Sequence, residues 1–128
     1  MSPTTAPRIL IVDDNDLNIE MATFVLSQAG MEVAAVLDAH GALEQVERFA
    51  PDLILMDMQL PGLDGMALTQ QLRSRPATRP MAIVAFTAYA MTGDKEKFLA
   101  AGCDGYIAKP INVASFAADV RALLPAAQ

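Results

Sequence analysis

The chain has 128 residues, 53% of them hydrophobic and 19% charged, with a net charge of −6. That length suits one domain able to bury most of the surface its unfolded form exposes, and the composition is that of a compact protein, not a disordered one. The acidic balance argues against a nucleic-acid-binding surface, which needs clustered Lys and Arg, and no apolar run approaches the roughly 20 residues that span a bilayer.

Residues 1–7 lack the apolar core of a signal peptide. They read as a loose lead-in to a soluble cytoplasmic domain over residues 8–125, with 126–128 as a tail. The initiating Met1 and the short tail point to a complete small protein, for which a monomer is the default expectation. A continuous apolar strand, Arg8–Val12, runs directly into Asp13 and Asp14. The pattern then predicts a helix over Asp16–Ala29, closed by Gly30 as a left-handed cap, with Asp14 or Asp16 available to cap its start. If Met21, Ala22, Val25, Leu26 and Ala29 form its buried stripe, Leu17 and Phe24 project elsewhere and Ile19 also lies off the stripe.

A strand over Glu32–Val36 and a helix over Ala39–Phe49, ended before Pro51, lead to the strand Leu53–Met56, which runs into Asp57. A helix over Gly65–Ser74 follows, with Pro80 at the next boundary, then a strand over Met81–Phe86 leading to Thr87. The helix Asp94–Ala101, followed by Gly102, precedes a strand over Tyr106–Ala108 that leads into Lys109 and Pro110; a last helix spans Val113–Leu124 before Pro125. Most strands are continuous apolar runs, as expected where helices cover both faces of a sheet. Five such repeats predict an α/β fold: a doubly wound five-stranded parallel sheet of flavodoxin-like type.

Strands that end in acid gather carboxylates at the carboxyl edge of the sheet, where α/β sites form. Asp13, Asp14 and Asp57 packed together would repel one another, and the arrangement makes chemical sense with a cation among them. A flavin-phosphate site would need a loop of Gly, Ser and Thr after the first strand. The run Asp13-Asp14-Asn15-Asp16 would repel a bare phosphate there. Capping accounts for one of these acids, but not for the adjacent pair plus Asp57. Thr87 and Lys109 bring a hydroxyl and an ammonium to the same edge, and a Lys ending an apolar strand needs anionic partners such as Asp14 and Asp57. Cys103, the single cysteine, reads as a packed small thiol, and His40 as a surface residue without an acidic partner at ligand spacing.

These residues resemble the receiver domain of two-component response regulators (CheY-like). The likeness rests on Asp13-Asp14, on Asp57 followed by Leu60-Pro61-Gly62-Leu63-Asp64-Gly65, on Thr87-Ala88 and on Lys109-Pro110, and it extends from about Arg8 to Leu124. Finer features (Asp14-Asn15 with Asn18, Ala88-Tyr89-Ala90-Met91 with Gly93-Asp94, and Ala101-Gly102-Cys103) resemble the DivK-type single-domain regulators and the receivers of hybrid histidine kinases.

The resemblance implies that Asp57 accepts a phosphoryl group from a histidine kinase or a histidine phosphotransfer protein. It implies Mg²⁺ held by Asp14 and Asp57, with Asp13 acting through water and the backbone carbonyl of Gln59 as a further ligand, and with Lys109 and Thr87 binding the phosphoryl oxygens. It also implies a cis peptide between Lys109 and Pro110, and a switch in which Thr87 moves and the aromatic Tyr106 turns inward. Gln59 and Tyr89 would flank the path of attacking water; neither is an acid or base at neutral pH, so self-dephosphorylation should be slow. Leu17 and Phe24, with Pro110, form the expected docking surface for a helical phosphodonor. The expected function is a stand-alone switch binding partners such as histidine kinases, itself no enzyme beyond its own phosphorylation and dephosphorylation, with no contact to nucleic acid or membrane. A phosphate shuttle to a phosphotransfer protein and a receiver excised from a hybrid kinase are the alternatives. A metal-dependent phosphohydrolase is disfavoured, because Gln59 stands where a second acid would be required.

Overall fold

The computed structural model describes residues 6–60, 63–75, 81–87, 94–108 and 111–124. In chain order the elements are β1 (Arg8–Val12), α1 (Asp16–Gln28), β2 (Glu32–Val36), α2 (Ala39–Phe49), β3 (Leu53–Met56), β4 (Gln59–Leu60), β5 (Leu63–Asp64), α3 (Gly65–Arg73), β6 (Ala82–Thr87), α4 (Asp94–Ala101), β7 (Gly105–Ala108) and α5 (Phe116–Leu123). The five longer strands form one parallel sheet in the order β2-β1-β3-β6-β7, and β4 and β5 form a separate antiparallel pair.

Side chains alternate across the sheet, so each central strand feeds two cores. Leu10, Val12, Ile54, Met56, Ile83 and Ala85 pack with Ala42 and Val46 of α2, Leu68 and Leu72 of α3 and Phe98 of α4. Ile9, Ile11, Leu53, Leu55, Val84 and Phe86 pack on the other face with Ala22 and Leu26 of α1 and Phe116 and Val120 of α5. Each fully buried Leu, Ile or Phe contributes about 1.5–3 kcal/mol relative to exposure, and β1, β3 and β6 are buried almost throughout. The sheet grows from β1 outward to β2 on one side and from β3 to β6 and β7 on the other. The chain therefore reverses direction of growth between β1 and β3, and a crevice at the carboxyl edge belongs there.

Gly30 and Gly102 adopt φ of +89° and +115°, the left-handed helix-end conformation the sequence predicts for them. Other expectations need correction. The start of α1 is capped by Asn15, not Asp14 or Asp16: the Asn15 side chain accepts the Asn18 N–H at 3.0 Å. Ile19 is half-buried against the core shared by α1 and α5, because it lies one turn before Ala22. Helix α5 begins at Phe116, three residues later than Val113, since the Asn112 carbonyl accepts the N–H groups of both Ser115 and Phe116 in a preceding turn. Strand β6 is shifted by one residue and includes Thr87. His40 is exposed as expected, but Glu44 one turn along lies within 4.0 Å of its ring nitrogen.

Candidate functional site

The backbone brings the acids together. Val12 of β1 pairs with Met56 of β3, and the ladder continues one residue past each strand end. The Asp57 N–H donates to the Val12 carbonyl at 2.9 Å, and the Asp13 N–H donates to the Val36 carbonyl at 3.1 Å. Continuing the alternation of their strands, Asp13 follows the face of Ile9 and Ile11, and Asp57 that of Leu53 and Leu55. Carboxylate oxygens of Asp13, Asp14 and Asp57 all lie within 4.8 Å of one another. Asp13 is fully buried and Asp57 only 6% exposed, whereas Asp14 is exposed.

Carboxylates are seldom this buried, and three so close together repel. A hard divalent cation fits the donor set, which is all oxygen and carries no imidazole or thiolate. The three acids are thus chemically suited to Mg²⁺.

Thr87 ends β6, two residues beyond Ala85, the register partner of Met56, and is 1% exposed. It is paired with Ala108 at the end of β7. Lys109 and Pro110 come next in sequence and lie outside the described residues, as does Tyr89. Gln59 opens β4 and pairs with Asp64 of β5, so the chain folds back on itself directly after Asp57 and Met58. Tyr106 is the half-buried register partner of Ala85 and packs against the core under α2, α3 and α4. An open cleft of about 540 Å³ beside it is lined by residues that include Tyr106, Asn112, Asp119 and Leu123. Leu17 and Phe24 are 63% and 64% exposed on α1.

One feature near the acids escaped the sequence reading. The Asp13 Oδ1 accepts the Asn15 N–H at 2.9 Å, so the side chains of Asp13 and Asn15, on either side of Asp14, fasten the loop that carries it. An Asp followed two residues later by an Asn, just before a helix, is the signal that could have revealed it.

A sequence profile of the response regulator receiver domain matches residues 9–121. The chain belongs to the response regulator receiver family. It is 43% identical over 110 residues to the sensor protein GacS of Pseudomonas syringae pv. syringae, covering 84% of this chain but only 12% of that protein. It is 36% identical over 116 residues to the polar-differentiation response regulator DivK of Brucella anthropi, covering 91% of this chain and 94% of DivK. The crystal structure of the receiver domain of a sensor histidine kinase from Pseudomonas aeruginosa superposes with a TM-score of 0.82 at 36% identity, covering 93% of this chain and 98% of that one. That receiver has a magnesium ion coordinated in its active-site cleft. No described helix is long and apolar enough to cross a membrane.

Proposed function

We propose that this receiver takes a phosphoryl group onto Asp57 from a phosphohistidine on a histidine kinase or phosphotransfer protein, and that the modified form switches its binding to partner proteins. The observation that carries this reading is the gathering of Asp13, Asp14 and Asp57 within 4.8 Å at the sheet's point of reversal. A carboxylate oxygen of Asp57 attacks phosphorus, the phosphorus–nitrogen bond breaks, and its electron pair stays on the donor imidazole, which takes up a proton from water. The product is an acyl phosphate on Asp57 and a neutral histidine on the donor. Catalysis comes from positioning and charge stabilisation, since a carboxylate is a modest nucleophile.

Thr87 donates its hydroxyl to one phosphoryl oxygen and Lys109 supplies positive charge to another. Asp13, Asp14 and Asp57, with the backbone carbonyl of Gln59, would hold Mg²⁺, which when bound offsets the negative charge of both the acids and the phosphoryl group. Tyr106, on the strand paired with Thr87's own, is the residue through which a displacement of Thr87 reaches the face formed by α4, β7 and α5. Such a switch works only if the partner binds one of two conformations better. The protein acts on no substrate but its own phosphoryl group, as a cytoplasmic monomer.

The reading as a stand-alone regulator draws on the likeness to DivK, a response regulator of which 94% is covered. The higher identity to a short segment of GacS supports a second reading, in which the domain serves a larger sensor kinase. Phosphotransfer from purified histidine kinases to the wild type and to Asp57→Asn tests the proposal. Rapid labelling of the wild type and none of the variant is expected; equal labelling of both would refute it.

A further inference from the structure

We infer that Asn15 is a positioning residue for the acidic cluster, holding Asp14 in place for a divalent cation. The inference rests on the reading of Asp13, Asp14 and Asp57 as cation ligands. Asp14 is the exposed member of the three. An exposed carboxylate has little packing to fix it, so its placement depends on the backbone at either side.

On the upstream side, Asp13 is fastened to β2 through Val36. On the downstream side, three polar groups of Asn15 are used within one turn. Its N–H donates to Asp13 Oδ1 at 2.9 Å, its side-chain oxygen accepts the Asn18 N–H at 3.0 Å, and its carbonyl accepts the Ile19 N–H at 3.1 Å. Its backbone is extended, with φ −103° and ψ 113°, so the turn into α1 is made at this residue. Asp14 is therefore held between a strand end and a capped helix start. Without the cap, the loop would have to be ordered when the cation binds, and affinity would fall by that cost. An Asp would cap equally well but would add a fourth carboxylate beside the cluster. The Asn amide provides the same acceptor without the charge.

The test is calorimetric titration of the full chain with MgCl₂ alone, for the wild type, Asn15→Ala, Asn15→Gly and Asn15→Ser, each checked for folding by circular dichroism at the same temperature. Gly is tolerated at a helix N-cap at a cost of a few tenths of a kcal/mol yet offers no side-chain acceptor, so Asn15→Gly separates loss of the acceptor from loss of fold. Asn15→Ala and Asn15→Gly should bind Mg²⁺ about tenfold more weakly, the lower end of the range for residues that orient metal ligands. Asn15→Ser, which restores an acceptor, should return to within about twofold of wild type. Wild-type affinity in both the Ala and Gly variants, or a Ser variant as weak as Ala, would overturn the inference. A wild type that takes up no Mg²⁺ would overturn the cation reading itself, and this role of Asn15 with it.

Discussion

The Asp57 N–H is bonded to the Val12 carbonyl at 2.9 Å, one step past the last register pair of β1 and β3. Asp57 is therefore set beside Asp13 by backbone pairing that exists whether or not a cation is present. The fold stores carboxylate repulsion at this edge, and relief of that repulsion gives the first prediction.

Mg²⁺ at about one hundred times its dissociation constant should stabilise the wild type by about 2.7 kcal/mol. Asp14→Asn should lose most of that gain. Without a cation, the same Asp14→Asn variant should be more stable than wild type by about 1 kcal/mol, the water-like lower limit for two unit charges at this spacing. Urea denaturation with and without MgCl₂ measures both effects.

Leu17 and Phe24 lie exposed on α1, so changing them should leave stability within about 0.5 kcal/mol of wild type. The double variant Leu17→Asp, Phe24→Asp should slow phosphotransfer from a protein donor while sparing phosphorylation by acetyl phosphate. Stopped reactions with the two donors distinguish a lost docking contact from damage to the acidic site, which would slow both.

At the opposite edge of the sheet, Arg73 holds three segments together. Its guanidinium donates to the Gly102 carbonyl at 2.9 Å, the Met81 carbonyl at 2.5 Å and Asp104 Oδ2 at 2.5 Å, and the same Asp104 oxygen accepts the Ile83 N–H at 2.9 Å. Arg73→Ala should cost about 2 kcal/mol in urea denaturation, because the mostly shielded guanidinium loses charge-assisted bonds to two carbonyls while the half-exposed Asp104 keeps access to water. Arg73→Lys should recover only a minority, because an ammonium lacks the planar fork. Phosphorylation of the folded fraction by acetyl phosphate should be unchanged in both.

The central strands and the acids were legible in the sequence because continuous apolar runs ending in Asp fix both burial and edge. The start of α5 was misjudged because a backbone carbonyl, that of Asn112, makes the turn, and no side-chain pattern marks it. The β4–β5 pair has two residues in each strand, too short for any alternation to show. Ile19 was assigned to the wrong face because the stripe was drawn narrowly; α5 packs beside α1 and widens the covered face. The Arg73 clamp was invisible because its acceptors lie 8, 29 and 31 residues away. The burial expected for Cys103 is what the fold provides.

That burial gives a prediction in pH. Desolvation pushes the Cys103 thiol above its ordinary value of 9.0, with Asp104 adding to the rise and the Thr69 hydrogen bond and Arg73 opposing it. The stability this neutral thiol contributes is fully present below the unfolded thiol's value and is lost as pH rises through the higher native value. The denaturation midpoint of the wild type should thus fall more steeply than that of Cys103→Ala above about pH 9. At neutral pH the native thiol should alkylate far more slowly than the urea-unfolded one.

The most direct measurement of the central claim is chemical. Protein phosphorylated by its kinase is reduced with borohydride, which converts an aspartyl phosphate to homoserine, and the peptides are sequenced by mass spectrometry. Homoserine at position 57, and none in Asp57→Asn, is the predicted result. Homoserine at another acid, or phosphate retained elsewhere in the chain of Asp57→Asn, would contradict it.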